Sequence, residues 1–239
     1  MKYYIITGTS RGLGESLVKQ LMTTGNVIFC ISRNKNESLI LQADDNNVTL
    51  EYISFDLSQV GKLESLMQGV FSRIDHSNIE SLVLINNAGI LAPIKPAELC
   101  PSEEIITNTH INMTAPMILS SSFIALAANV NANKQIINIS SGAGKKPYHG
   151  WSNYCSAKAG LDHFTRCVGL EQSTRANPVR ILSLAPGVVD TEMQREIRAT
   201  PKEHFHDLER FISLKEDGKL QDSDTVARFV IDLLQNDEI

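Results

Sequence analysis

Tyr154 and Lys158 stand four residues apart in the segment WSNYCSAKAG. Positions i and i+4 share a helix face, so this spacing sets an ammonium beside a phenol. A free phenol titrates at roughly 10. A neighbouring positive charge stabilises phenolate and lowers that value, which makes the tyrosine a proton donor or acceptor near neutrality. Taken alone, Tyr-x-x-x-Lys is equally a solvated helix face, so the rest of the chain decides.

A second constellation opens the chain. KYYIITGTSRGLGESLVKQLMTTG reads as a strand, a glycine-rich turn and a helix, with Gly8, Gly12 and Gly14 before an apolar helical stripe of Leu13, Leu17, Val18 and Leu21. Backbone N–H groups and a helix N-terminus at such a turn suit a dinucleotide pyrophosphate. The spacing is TGxxxGxG rather than GxGxxG.

The elements that must position these residues follow from periodicity. Apolar runs at 2–7, 26–32, 49–55, 81–86, 135–141 and 179–185 predict strands. Amphipathic stretches at 13–24, 59–74, 103–129, 152–176 and 223–235 predict helices. Strand–helix alternation implies right-handed crossovers and a parallel sheet. Runs such as NVIFCIS and LVLIN are apolar on both faces, as buried parallel strands are. The expected class is α/β: a doubly wound parallel β-sheet, a Rossmann fold in three α/β/α layers. Residues 1–239 show no repeat or linker and read as one domain. Segment 192–220 mixes charges with scattered apolar residues, as either a helical lid or a plain pair of surface helices would.

These segments resemble the single-domain short-chain dehydrogenase/reductase family over essentially the whole chain. Five motifs carry the resemblance in the family's order: TGTSRGLG (7–14), FDLS (55–58), NNAG (86–89), Ser141 with YCSAK (154–158) thirteen residues on, and PG (186–187). Within the family, TSRGLG, GWSNYC and LKEDGKLQDSDTVARFVIDLL (214–234) are similar to sepiapterin reductases and to bacterial reductases of α-dicarbonyls such as benzil. The implied activity is NADPH-dependent reduction of an α-dicarbonyl or of a pterin side-chain ketone. The resemblance also favours the lid. The family adds a seventh strand after the last helix, where QNDEI stands here, and no residue matches the acid that anchors a pterin in that region. The diketone is therefore the preferred expectation. Other ketones, such as a 3-oxoacyl thioester or a steroid, and a non-catalytic NADPH sensor are the alternatives.

An acid at the end of the second strand would favour NAD. Here Ser32 and Arg33 stand at that point, and Arg11 lies in the glycine loop. Two guanidinium groups suit a 2′-phosphate, so the expected cofactor is NADP(H), with Ser10 and Ser32 adding hydroxyl contacts. The resemblance adds Leu13 and Gly14 in the loop, Asp56 and Leu57 at the adenine, and Asn87, Ala88 and Gly89 after Asn86. It places Pro186, Gly187, Val189 and Thr191 by the nicotinamide.

Carbonyl reduction leaves negative charge on oxygen, which needs a proton and a polarising hydrogen bond. The resemblance implies Tyr154 as acid and Ser141, rather than Ser140, as its partner on the same oxygen. Lys158 lowers the Tyr154 pKa and binds ribose hydroxyls, and Asn112 joins a water relay at a helix kink. Tyr148, Trp151 and Met193 are the candidates for a substrate pocket.

A net charge of −5 argues against a nucleic-acid or anionic-membrane partner, and no apolar stretch reaches a membrane span. Four cysteines without a CxxC pair, behind an N-terminus that enters a strand directly, read as reduced thiols in a cytoplasmic protein. His204 and His206, two apart, read as a solvated face, and no metal is expected. The resemblance implies a homodimer or homotetramer through helices 103–129 and 152–176, whose apolar residues Ile111, Met117, Phe123, Leu161, Phe164 and Val168 suit either such an interface or a monomer core.

Overall fold

Every predicted strand forms in the computed structural model, which describes residues 1–235. The strands are β1 (Lys2–Thr7), β2 (Asn26–Ser32), β3 (Thr49–Ser54), β4 (Ser81–Asn86), β5 (Asn133–Ile139) and β6 (Arg180–Leu184). They pair in parallel in the order β3-β2-β1-β4-β5-β6. The order reverses between β1 and β4, and the crevice beyond the carboxyl ends of those strands is where such sheets bind ligands.

The helices are α1 (Gly12–Leu21), α2 (Glu37–Asp45), α3 (Leu63–Phe71), α4 (Ser102–Thr109), α5 (Ala115–Leu126), α6 (Ser152–Gln172), α7 (Glu192–Arg198), α8 (Leu208–Glu216) and α9 (Ser223–Gln235). Successive residues of β1 feed opposite layers. Tyr3 and Ile5 pack with Met67, Leu119, Phe123 and Val168 of α3, α5 and α6. Tyr4 and Ile6 pack with Leu17, Leu39 and Val230 of α1, α2 and α9. Helix α2 was not expected: ESLILQADD buries only Leu39 and Ala43, too few apolar positions to show a period.

Two predicted elements differ where it matters. Strand β5 ends at Ile139, so Ser141 lies beyond the sheet and caps a short 3₁₀ turn, Gly142–Gly144. The predicted helix 103–129 is two helices joined by a wide π-turn over His110–Thr114. Pro116 has no N–H and so cannot donate to the Asn112 carbonyl as an α-helix requires. Ile111, Phe123, Leu161 and Val168 are buried within the protomer, which leaves Met117 and Phe164 half-buried on those helices. The tail beyond Gln235, where a seventh strand was in question, lies outside the described residues. No helix among the described residues is long and apolar enough to cross a membrane.

Candidate active site

The glycine loop is held from below by side chains of the β4 end. Asn87 Nδ2 donates to the carbonyls of Thr7 and Gly8 at 3.0 and 3.2 Å, and the Asn87 and Ala88 amides donate to Thr7 Oγ1. Gly8 and Gly12 have φ of +73° and +59°, the left-handed region that glycine tolerates. A Cβ on Gly8 would come within 2.8 Å of the Ala88 Cα. The result is a backbone cradle without side chains, the shape a pyrophosphate requires.

Above this cradle lies a cleft of about 1080 Å³ that runs from the end of β2 to α7 and α8. It is bounded at one end by Ser10, Arg11, Gly12, Leu13, Ser32, Arg33, Asp56 and Leu57, with Ala88 and Gly89 at its middle. Ser141, Tyr148, Trp151, Tyr154, Lys158, Pro186, Gly187, Val189, Thr191 and Met193 form the other end. Two expected residues do not border it. A Cβ on Gly14 would meet the Gly8 carbonyl oxygen at 2.1 Å, so this glycine lets α1 pack against the loop rather than touching a ligand. Asn112 is fully buried behind Gly89: its amide donates to the Ile90 carbonyl (2.7 Å) and to Asn108 Oδ1 (3.0 Å), while its Oδ1 accepts from the Ile90 amide (3.0 Å).

Ser32 is also more committed than expected. Its hydroxyl donates to the Asn34 carbonyl and lies 2.8 Å from the Tyr52 phenol, which Thr9 reaches as well. Tyr52 thus ties the glycine loop to the end of β2, a role that no local pattern in EYIS reveals. Arg11 and Arg33 are exposed, and neither forms an ion pair among the described residues.

At the other end, α6 carries Tyr154 and Lys158 inward together. Both are buried, and the Lys158 ammonium sits 5.8 Å from the Tyr154 ring centre. Lys158 Nζ donates to the Ile139 carbonyl at 2.8 Å. Burial lowers its pKa to about 8, against a smaller raising effect of Asp162. Burial pushes the Tyr154 phenol up to about 12, opposed by a hydrogen bond with Ser141. The Tyr-x-x-x-Lys spacing leads one to expect a lowered phenol pKa; in the structure burial dominates and raises it, so the phenol keeps its proton at neutral pH. Ser141 Oγ also accepts from the Ala143 amide, which fixes its position; Ser140 Oγ is sealed from solvent without a partner.

Segment 192–220 is tied in at its neck and through its aromatic residues. Asp190 N donates to the Gln221 carbonyl and Gln221 N to that of Val188, so the two ends of the excursion are joined. Phe205 is fully buried and stacks on Trp151 at 4.7 Å; Phe211 packs against both. His206 stacks on His149 at 3.5 Å while staying exposed, so the solvated face expected there also makes a contact of the segment. Unanticipated residues bordering this half of the cleft include Gln194, Arg198, Arg210 and Phe211. They come from a segment whose irregular pattern says little about which side faces in.

A parallel sheet with a glycine cradle and a Ser–Tyr–Lys group across one cleft is the architecture of a dinucleotide-dependent oxidoreductase. Residues 2–202 match the family described as short chain dehydrogenase, and the chain belongs to it. It is an oxidoreductase that acts on carbonyl or alcohol groups, with a nicotinamide cofactor. It is 48% identical to a benzil reductase ((S)-benzoin forming) of Bacillus cereus over 100% of this chain and 96% of that one. A sepiapterin reductase of Mus musculus is 31% identical over 98% of this chain and 91% of the other. The crystal structure of the KRED1-Pglu enzyme superposes with a TM-score of 0.84 at 28% identity, covering 99% of this chain and 95% of that chain.

Proposed function

We propose that this protein is an NADPH-dependent reductase of α-dicarbonyl compounds of the benzil type. The observation that carries the reading is the Ser141–Tyr154 pair at one end of the cleft: a phenol held protonated, hydrogen-bonded to a fixed serine, beside the aromatic walls of Tyr148 and Trp151. When bound, the reduced nicotinamide supplies the hydride. Tyr154 gives the proton to the carbonyl oxygen, and Ser141 holds that oxygen and stabilises its developing charge. Lys158 adds positive charge below the phenol and a donor for ribose hydroxyls. Asn112, bonded from the π-turn to Ile90 beyond β4, keeps the floor beside Lys158 in register and supports proton resupply from solvent.

Arg11 and Arg33 hold the 2′-phosphate of NADP(H), since both guanidinium groups border the cleft without carboxylate partners. Asp56 and Leu57 take the adenine. Asn87, Ala88 and Gly89 back the cofactor, and Pro186, Gly187, Val189 and Thr191 meet its nicotinamide end. Residues 192–220 act as the lid. The molecule works as a cytoplasmic homo-oligomer joined through α4, α5 and α6.

The relatives named for benzil support the diketone over the pterin, because the 48% identity to the first exceeds the 31% to the mouse sepiapterin reductase. The test is loss of NADPH absorbance with benzil and, separately, sepiapterin, for wild type and Tyr154→Phe. Benzil turnover that vanishes in the variant is expected; turnover that survives it would remove Tyr154 as the acid.

A further inference from the structure

Besides Lys158, the lid half of the cleft is bordered by the cations Lys146, Arg195, Arg198, Arg210 and Lys215 against the carboxylates Asp190, Glu192 and Glu196, a positive excess although the chain carries a net −5. Of the cations that border it, Arg195 and Lys215 are neutralised by Glu192 and Asp190. Lys146 and Arg210 lie against the rings of Tyr148 and Phe211 at 5.2 and 5.6 Å, with no carboxylate partner among the described residues. Arg198, in the last turn of α7, is half-buried and forms no ion pair or hydrogen bond among the described residues; its Nη1 is sealed from solvent. One turn earlier Gln194 Oε1 is also sealed and unpartnered, as is the indole nitrogen of Trp151. A guanidinium partly withdrawn from water raises the free energy of the protein until an opposite charge meets it. The adenine-end phosphate already has Arg11 and Arg33, so Arg198 is left for the substrate.

We infer that Arg198 anchors an anionic group of the substrate, and that the enzyme favours aryl dicarbonyl or aryl keto compounds bearing a carboxylate over neutral diketones. This rests on the carbonyl-reductase reading and names its substrate class. For a 2-oxo acid the balance is simple: hydride from NADPH adds to the ketone carbon, a proton from Tyr154 adds to its oxygen, and the carboxylate leaves unchanged in a 2-hydroxy acid. The aromatic ring lies against Tyr148, Trp151 and Phe211, while the carboxylate takes the forked donors of Arg198.

The experiment is steady-state kinetics at saturating NADPH with benzil, 4-carboxybenzil and benzoylformate. In Arg198→Gln, kcat/KM for a carboxylate substrate is expected to fall on the order of 10- to 100-fold, with benzil changed less than about threefold. Arg198→Lys, which keeps the charge but not the fork, should fall between wild type and Arg198→Gln in anion preference. If the Gln variant does not fold, wild-type salt dependence decides: added KCl should depress the carboxylate substrates and spare benzil. Equal losses for charged and neutral substrates would overturn the assignment, as would benzil turnover with neither carboxylate reduced. A raised KM for NADPH with unchanged discrimination would also overturn it, by moving Arg198 to the cofactor. Failure of the wild type on all three, benzil included, would instead bring down the carbonyl-reductase reading and this inference with it.

Discussion

Lys158 holds an ammonium inside the protein with a backbone carbonyl as its hydrogen-bond acceptor, an arrangement that costs the fold and that the proposed chemistry would use. Its pKa is 10.5 when free and about 8 here, so folding is penalised by on the order of 3 kcal/mol wherever the group is charged in both states. The sign follows. Between about 8 and 10.5 the unfolded chain binds the extra proton, so this contribution favours the fold increasingly as pH rises. Lys158→Met is expected to be inactive yet more stable than wild type at neutral pH. The difference should close across that window, as urea denaturation of both proteins at several pH values would show; no difference at neutral pH would contradict the burial argument. Tyr154 shifts the other way. Held at about 12, it keeps its proton, so ketone reduction should be nearly flat from about pH 6 to 8. Alcohol oxidation by the same enzyme needs the phenolate and should climb about tenfold per pH unit there, which initial rates in both directions would test.

The elements show why some residues were legible and others not. Strands β1, β2 and β4 are almost wholly buried, so their apolar runs stand out in the sequence. The glycine loop, Tyr154 and Lys158 are local spacings, and local spacing survives in a string of letters. Gly14 was visible, but its partner was not, because the Gly8 carbonyl reaches it through a turn. Gly14→Ala should destabilise by at least about 2 kcal/mol, since backbone meets backbone there, and should weaken NADPH binding as well. Thermal melts and a fluorescence titration would measure the two effects; a melt within error of wild type would refute the packing role. The internal wiring was hidden too: Asn86 donates to Asn138, which donates to Thr165 on α6, a buried chain linking two strands and a helix. Segment 192–220 docks by contacts among residues some fifty positions apart, such as Phe205 on Trp151, which no periodicity encodes. Phe205→Ala should cost about 3 kcal/mol if the lid unfolds with the body. If the lid opens independently, limited proteolysis should instead cut within 199–207 while the melting temperature holds.

At the scale of the whole molecule, the remaining apolar surface bears on assembly. Ile106 on α4 and Leu170 on α6 are 52% and 73% exposed. Placing aspartate at both should shift the proposed homo-oligomer toward monomer in light scattering with the fold intact; an unchanged mass would move the interface elsewhere.

The sheet order has a further bearing on biosynthesis. Strand β1 is an interior one, made before both of its neighbours, with β2 on one side and β4, Ser81–Asn86, on the other. Translation at about 5–20 residues per second leaves the β4-facing edge of β1 without its mate for several seconds after β1 is made. An open apolar edge is a template for the wrong neighbour. The same register that places the cleft at the β1–β4 junction therefore makes the nascent chain vulnerable to aggregation when ribosomes are crowded or translation stalls before residue 86.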